Sequence, residues 1–176
     1  MSEAPHVTAP PRKTLWIVVL VALGVVLLDH ATKFWAQQVL LPRILAEEGP
    51  IEVLGSLLRL TYAENTGASF SLGTGYTWVF TLIAIVVVVV IVRVSRRLGS
   101  VAWAIALGGL LGGAVGNLID RLFRAPGIGR GFVVDFIQLP YWPIFNIADS
   151  FVVCSAIAMV ILSWRGVPLT GAAPRA

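Results

Sequence analysis

Four aspartates, three asparagines, a lysine and an arginine stand in or beside long apolar runs of this sequence: Asp29, Lys33, Asn65, Asn117, Asp120, Arg121, Asp135, Asn146 and Asp149. An ionisable group at membrane depth is costly, which makes such groups functional candidates. The chemistry that two of these carboxylates can do together is hydrolysis. Two carboxylates held close cannot easily both ionise, so one keeps a proton at neutral pH. The ionised one takes a proton from water, and the protonated one polarises a scissile carbonyl. That is the arrangement an aspartyl protease needs, and it requires neither a metal nor a covalent intermediate. Asp135 lies in the strand-like run GFVVDFIQL, and Pro140 and Pro143 prevent one helix from joining it to Asp149. The chain can therefore turn and bring these two acids face to face. Spacing alone leaves other pairings open among Asp29, Asp120, Asp135 and Asp149.

Each group also has a plainer reading. Asp29 and Lys33 are four apart and share a helix face, which fits an ion pair at a helix end with Lys33 snorkelling to the headgroups. Asp120 is unfavourable at a helix C-terminus, and the neighbouring Arg121 can offset that cost in a structural ion pair. Asn146 and Asp149 have the spacing of a helix-capping box.

The elements that must position these residues follow from composition. The chain has 176 residues, 57% hydrophobic and 12% charged, against about 25% charged in a soluble domain. A bilayer core takes roughly 20 helical residues to cross. Four apolar segments meet that length, over about 15–36, 76–92, 101–119 and 144–164, in one domain. The reading is an all-α membrane protein of four transmembrane helices. Between the first two spans, 37–75 is rich in Gly and Pro, and Ile51, Val53, Leu58, Leu60 and Tyr62 alternate, which predicts a small sheet or hairpin on the membrane surface. Glycines 108, 109, 112, 113 and 116 in the third span allow close helix packing. Arg93, Arg96 and Arg97 crowd the short loop after the second span, which places both termini (tails 1–13 and 165–176) in the cytoplasm. Eight of the nine acidic residues then gather on the outer side. The net charge of +4 does not point to nucleic acid, because the basic residues sit at the ends of apolar segments. Cys154 reads as packing, and the two histidines, His6 and His30, offer no metal-ligand spacing.

The motifs LLDHATK, ENTGASFS, GGAVGNLIDR, VVDFI and FNIADS occur in that order. Together they resemble the lipoprotein signal peptidases, the signal peptidase II family of aspartyl endopeptidases, over roughly residues 15–165. The resemblance implies a bacterial inner-membrane enzyme without cofactor, with four spanning helices and a small periplasmic sheet. The implied substrate is a prolipoprotein carrying diacylglycerol on the cysteine after the cleavage site. The implied cut falls just before that cysteine, at a site near the periplasmic face. Asp135 and Asp149 fall on the family's catalytic pair. Asp29, Lys33, Asn65, Asn117, Asp120, Arg121 and Asn146 fall on its other functional motif positions. Inhibition by globomycin-type cyclic peptides is implied as well, and a monomer is the expected state. His30 stands where the family usually has Gln, Ser69 replaces a common Ala, and the 122–132 connection looks longer than usual. The Gly-rich 67–75 segment is expected to close over substrate. A proton-linked carrier is the main rival reading, but it should place acids near the bilayer midplane, and the second span has none. A non-catalytic assembly factor is the other rival, and it would not need two carboxylates beside apolar runs.

Overall fold

The computed structural model describes residues 12–67 and 77–170. The outermost parts of the expected tails, Ser69 and most of the 67–75 segment lie outside the described residues. In order, the elements are α1 (Arg12–Leu45), β1 (Ile51–Glu52), β2 (Arg59–Asn65), α2 (Thr77–Ser95), α3 (Val101–Phe123), β3 (Val133–Gln138) and α4 (Ile147–Trp164). All four helices are long and apolar enough to cross a membrane. The strands form one antiparallel sheet of order β1-β2-β3.

α3 is the central helix, and its glycines explain how. Gly108 and Gly112 meet Val21 and Val25 of α1, while Gly109 and Gly113 meet Ser155 and Val152 of α4. A Cβ at Gly112 would lie 2.6 Å from the Val25 Cβ and 2.8 Å from the Ala22 carbonyl oxygen. Two glycine stripes on adjoining faces therefore let α1 and α4 approach one helix together. At one end of the bundle Val18, Ile91, Leu98, Ala104 and Leu107 form a core. At that end the Leu169 carbonyl accepts from the Gly99 and Ser100 amides at 2.9 and 3.2 Å, and the Val167 carbonyl accepts from Trp103 Nε1 at 2.8 Å.

At the other end α1 overruns its expected limit. The sequence ends this span at residue 36, but the helix continues to Leu45 with Pro42 inside it. The reason is tertiary. Ala36 and Leu40 are buried against Tyr62, Val134 and Phe136, so the helix end serves as a floor for the sheet. At about 1.5 Å per residue its 34 residues exceed a hydrocarbon core of about 30 Å. α2 and α3 also run past their expected ends, to Ser95 and Phe123. α4 begins at Ile147, three residues after the expected 144, because Asn146 caps it. The described part of the 37–75 segment supplies β1 and β2; β3 supplies the third strand, in register Ala63↔Asp135 and Asn65↔Val133. Val134 and Phe136 face the α1 floor. The two-residue period of a strand then turns Asp135 to the opposite face.

Candidate active site

Local folding presents each acid. Asn65 and Asp135 lie diagonally across the β2–β3 ladder on one face, and Asn65 Nδ2 donates to Asp135 Oδ2 at 2.8 Å. Asp149 sits in the first turn of α4, where Asn146 Oδ1 accepts from its amide at 2.9 Å and the Asn146 amide donates to Asp149 Oδ2 at 3.3 Å. The capping box that the sequence predicts is thus present. It does more than end a helix. The Nδ2 of the fully buried Asn146 also donates to Asp135 Oδ1 at 2.7 Å, so one residue meets both carboxyl groups, Asp135 through its side chain and Asp149 through its backbone amide. Asn117 of α3 completes the ring, donating from Nδ2 to Asp149 Oδ1 at 2.7 Å and accepting from Asn146 Nδ2 at 3.2 Å.

Behind this ring lies a charge cluster. The Lys33 ammonium has three donors, and it meets Asp29 Oδ2 at 2.7 Å, Asp120 Oδ2 at 2.8 Å and Asn117 Oδ1 at 3.0 Å. Lys33 is wholly buried, which overturns the snorkelling alternative. The Asp29–Lys33 ion pair itself is present, but as part of a buried network. Asp29 Oδ1 accepts from the Ala148 amide at 2.9 Å, which ties α1 to the start of α4. Asp120 pairs with Lys33 and with Arg124 Nε, not with the adjacent Arg121. Consecutive helical residues point in different directions, whereas Asp120 and Arg124 share a face four apart. Arg121 lies over the Phe80 ring, 5.5 Å from its centroid, and its buried Nη1 has no hydrogen-bond partner among the described residues. Arg124 is a cluster member that sequence reasoning missed. Its signal was the i, i+4 spacing from Asp120, hidden by ending the helix at 119.

Eight of the nine sequence-predicted residues are linked through hydrogen bonds or ion pairs, and Arg121 stands at the margin. Burial raises the Asp135 carboxyl to about 7, the charge of Asp149 adds to the rise, and the amides of Asn65 and Asn146 oppose it. A carboxyl at that value exchanges a proton at neutral pH. A hollow of about 340 Å³ lined by Asn65, Thr66, Asp135, Trp142 and Pro143 opens on this group. A second, of about 280 Å³, opens on Asp149 between Trp142, Phe145, Val153 and Cys154. His30 Nδ1 lies 3.1 Å from the Val26 carbonyl oxygen and 3.7 Å from Asp29 Oδ2, at the edge of the charge cluster.

Comparison with known proteins agrees with this architecture. The family model described as signal peptidase (SPase) II matches residues 21–165. A lipoprotein signal peptidase of Mycobacterium bovis (strain BCG / Pasteur 1173P2) is 51% identical, covering 92% of this chain and 77% of its own. Those of Mycobacterium avium (strain 104) and Rhodococcus jostii (strain RHA1) are 50% and 45% identical, covering 94% and 96% of this chain and 87% and 85% of theirs. A bacterial membrane enzyme structure obtained by the in meso method at 2.3 Å resolution aligns with TM-score 0.69 and 27% identity, covering 90% of this chain and 93% of that one. With its family model matched across most of its length and its relatives near half identical, this chain belongs to the signal peptidase II family, as a multi-pass bacterial membrane peptidase.

Proposed function

We propose that Asp135 and Asp149 are the catalytic pair of an aspartyl endopeptidase that removes signal peptides from diacylglyceryl-modified prolipoproteins. In this reading Asp135 holds the shared proton and Asp149 is ionised. Asp149 takes a proton from a water molecule as its oxygen attacks the scissile carbonyl carbon. Asp135 donates to the carbonyl oxygen, and a tetrahedral diol forms. Asp149 then returns its proton to the leaving nitrogen as the C–N bond breaks, and the collapsing diol restores the proton of Asp135. The products are a free signal-peptide carboxylate and a new amino group on the lipidated cysteine.

The observation that carries this reading is the double contact of Asn146 with Asp135 and, through the capping box, Asp149. Capping alone needs no bond to a strand residue. Lys33 holds Asn117 and thereby the carboxylate of Asp149, while Asp29 and Asp120 fix Lys33. These are positioning residues in the reading, and Arg121 Nη1 is left to meet a substrate carbonyl. The site lies where the sheet meets the outer ends of the helices, at the periplasmic face of the inner membrane, with both termini cytoplasmic. Globomycin-type cyclic peptides bind this site in the same reading. The test uses purified protein and a diacylglyceryl precursor, with the product N-terminus identified by mass spectrometry. The wild type is expected to cut just before the lipidated cysteine, and Asp135→Asn or Asp149→Asn to abolish the product while retaining the wild-type unfolding temperature within a few degrees. A cut elsewhere, or cleavage by both folded variants, contradicts the reading.

A further inference from the structure

Trp142 is a shared wall of three hollows at this end of the molecule. One holds Asn65 and Asp135, one holds Asp149, and a third of about 570 Å³ holds Arg59 and Gln138. The indole is 63% exposed, so it is not core. Its backbone is nonetheless set: Pro140 and Pro143 flank it, Tyr141 before it has φ of 59°, and its amide donates to the Leu139 carbonyl at 3.3 Å. A held backbone presenting an exposed aromatic ring between two acid-bearing hollows is the form of a contact residue.

The hollows differ in chemistry. Around Asp135 the lining includes Glu64, Asn65 and Thr66, which suits a peptide. Around Asp149 the walls are Phe145, Val153, Cys154 and Trp142, with Ser150 as the other polar group. Val153, on the wall of that second hollow, is followed along α4 by Ile157 and Ile161, all three exposed. These residues are four apart and form one apolar stripe along the helix.

Resting on the function proposed above, we infer that Trp142 is the residue that sorts the substrate. One acyl chain of its diacylglyceryl group lies in the Phe145–Val153–Cys154 hollow, and the scissile peptide lies in the Asn65–Asp135 hollow. Bilayer hydrocarbon is as apolar as the hollow, so the chain gains packing there rather than release from water. The benefit is register: a seated chain fixes how far the lipidated cysteine stands from the dyad.

Two measurements test this. The first compares cleavage of a diacylglyceryl precursor by wild type, Trp142→Ala and Val153→Trp. The second replacement fills the hollow from a lipid-facing position and carries the test if Trp142→Ala does not fold. KM is expected to rise roughly tenfold in each folded variant, with kcat changed much less. A Trp142 that only anchors the loop at the membrane interface would leave KM unchanged in Val153→Trp, and that result overturns the inference. The second measurement uses Asp135→Asn and a precursor with a photoreactive group on one acyl chain. Crosslinks are expected within residues 142–154 and are expected to be lost from there in Asp135→Asn carrying Val153→Trp. Crosslinks confined to α2 overturn the inference, as does labelling of residues 142–154 by a photoreactive phospholipid that excess precursor fails to displace. Failure of the dyad itself reads differently: Asp135→Asn would then still cleave, whatever Trp142 does.

Discussion

Asp135 accepts amide hydrogens on both oxygens, and each favours its charged form, yet burial and the charge of Asp149 still raise its carboxyl to about 7. Desolvation outweighs two hydrogen bonds here. Removing one of those bonds should push the value up further. If the protonated form of Asp135 is the active one, activity falls on the alkaline side near pH 7, and Asn65→Ala should move that limb to higher pH while lowering the rate. A pH profile of kcat/KM for both proteins measures this; a limb moving toward acid contradicts the assignment of the proton. Lys33 carries a different prediction. Its ammonium is wholly buried between Asp29 and Asp120. Lys33→Met leaves two buried carboxylates without their shared cation, a loss of about 3–5 kcal/mol by comparison with other broken buried pairs. Unfolding in detergent should show that loss near neutral pH, and unfolding of Lys33→Met at the wild-type midpoint would contradict the role of the buried cluster.

Among the elements, α3 sets the spacing on which the residues depend. Gly112→Ala puts a methyl group against Val25 and the Ala22 carbonyl, while Gly24 on α1 has nothing within 4 Å of a built Cβ. Gly112→Ala should therefore lower the unfolding temperature, at a cost of about 1–3 kcal/mol. Gly24→Ala should be neutral or stabilising by up to about 1 kcal/mol. Equal effects would contradict the close packing of α1 on α3. These elements were readable to different degrees in the sequence. The four spans were visible because membrane crossing demands length and apolarity in one continuous segment. The glycine stripe was visible because small residues recur at helical spacing. The extension of α1 past Pro42 was not, because its cause is the burial of Leu40 against a sheet that forms from distant segments. For the same reason 133–138 read as strand-like on its own, but nothing local showed that it pairs with β2.

In the whole molecule, groups from α1, β2, α3, β3 and α4 converge at one end of a bundle whose other end holds a plain apolar core. Which polar residues to expect together was open to sequence reasoning, through their cost at membrane depth and through the family motifs. Their partners were not: Lys33 reaches Asn117 and Asp120 across more than eighty residues, and Asn146 reaches Asp135 across a turn that spacing only permits. In the proposed reading the two acids act as a unit, and units are non-additive on mutation. Single-turnover rates of signal-peptide release from a lipidated precursor should be measured for the wild type, Asp135→Asn, Asp149→Asn and the double variant. Each single replacement should slow release by about a thousandfold or more, as for other cooperating catalytic groups, and the double variant should be scarcely slower than either. Independent, multiplying losses, or near-wild-type release by either folded single variant, would contradict a shared-proton pair.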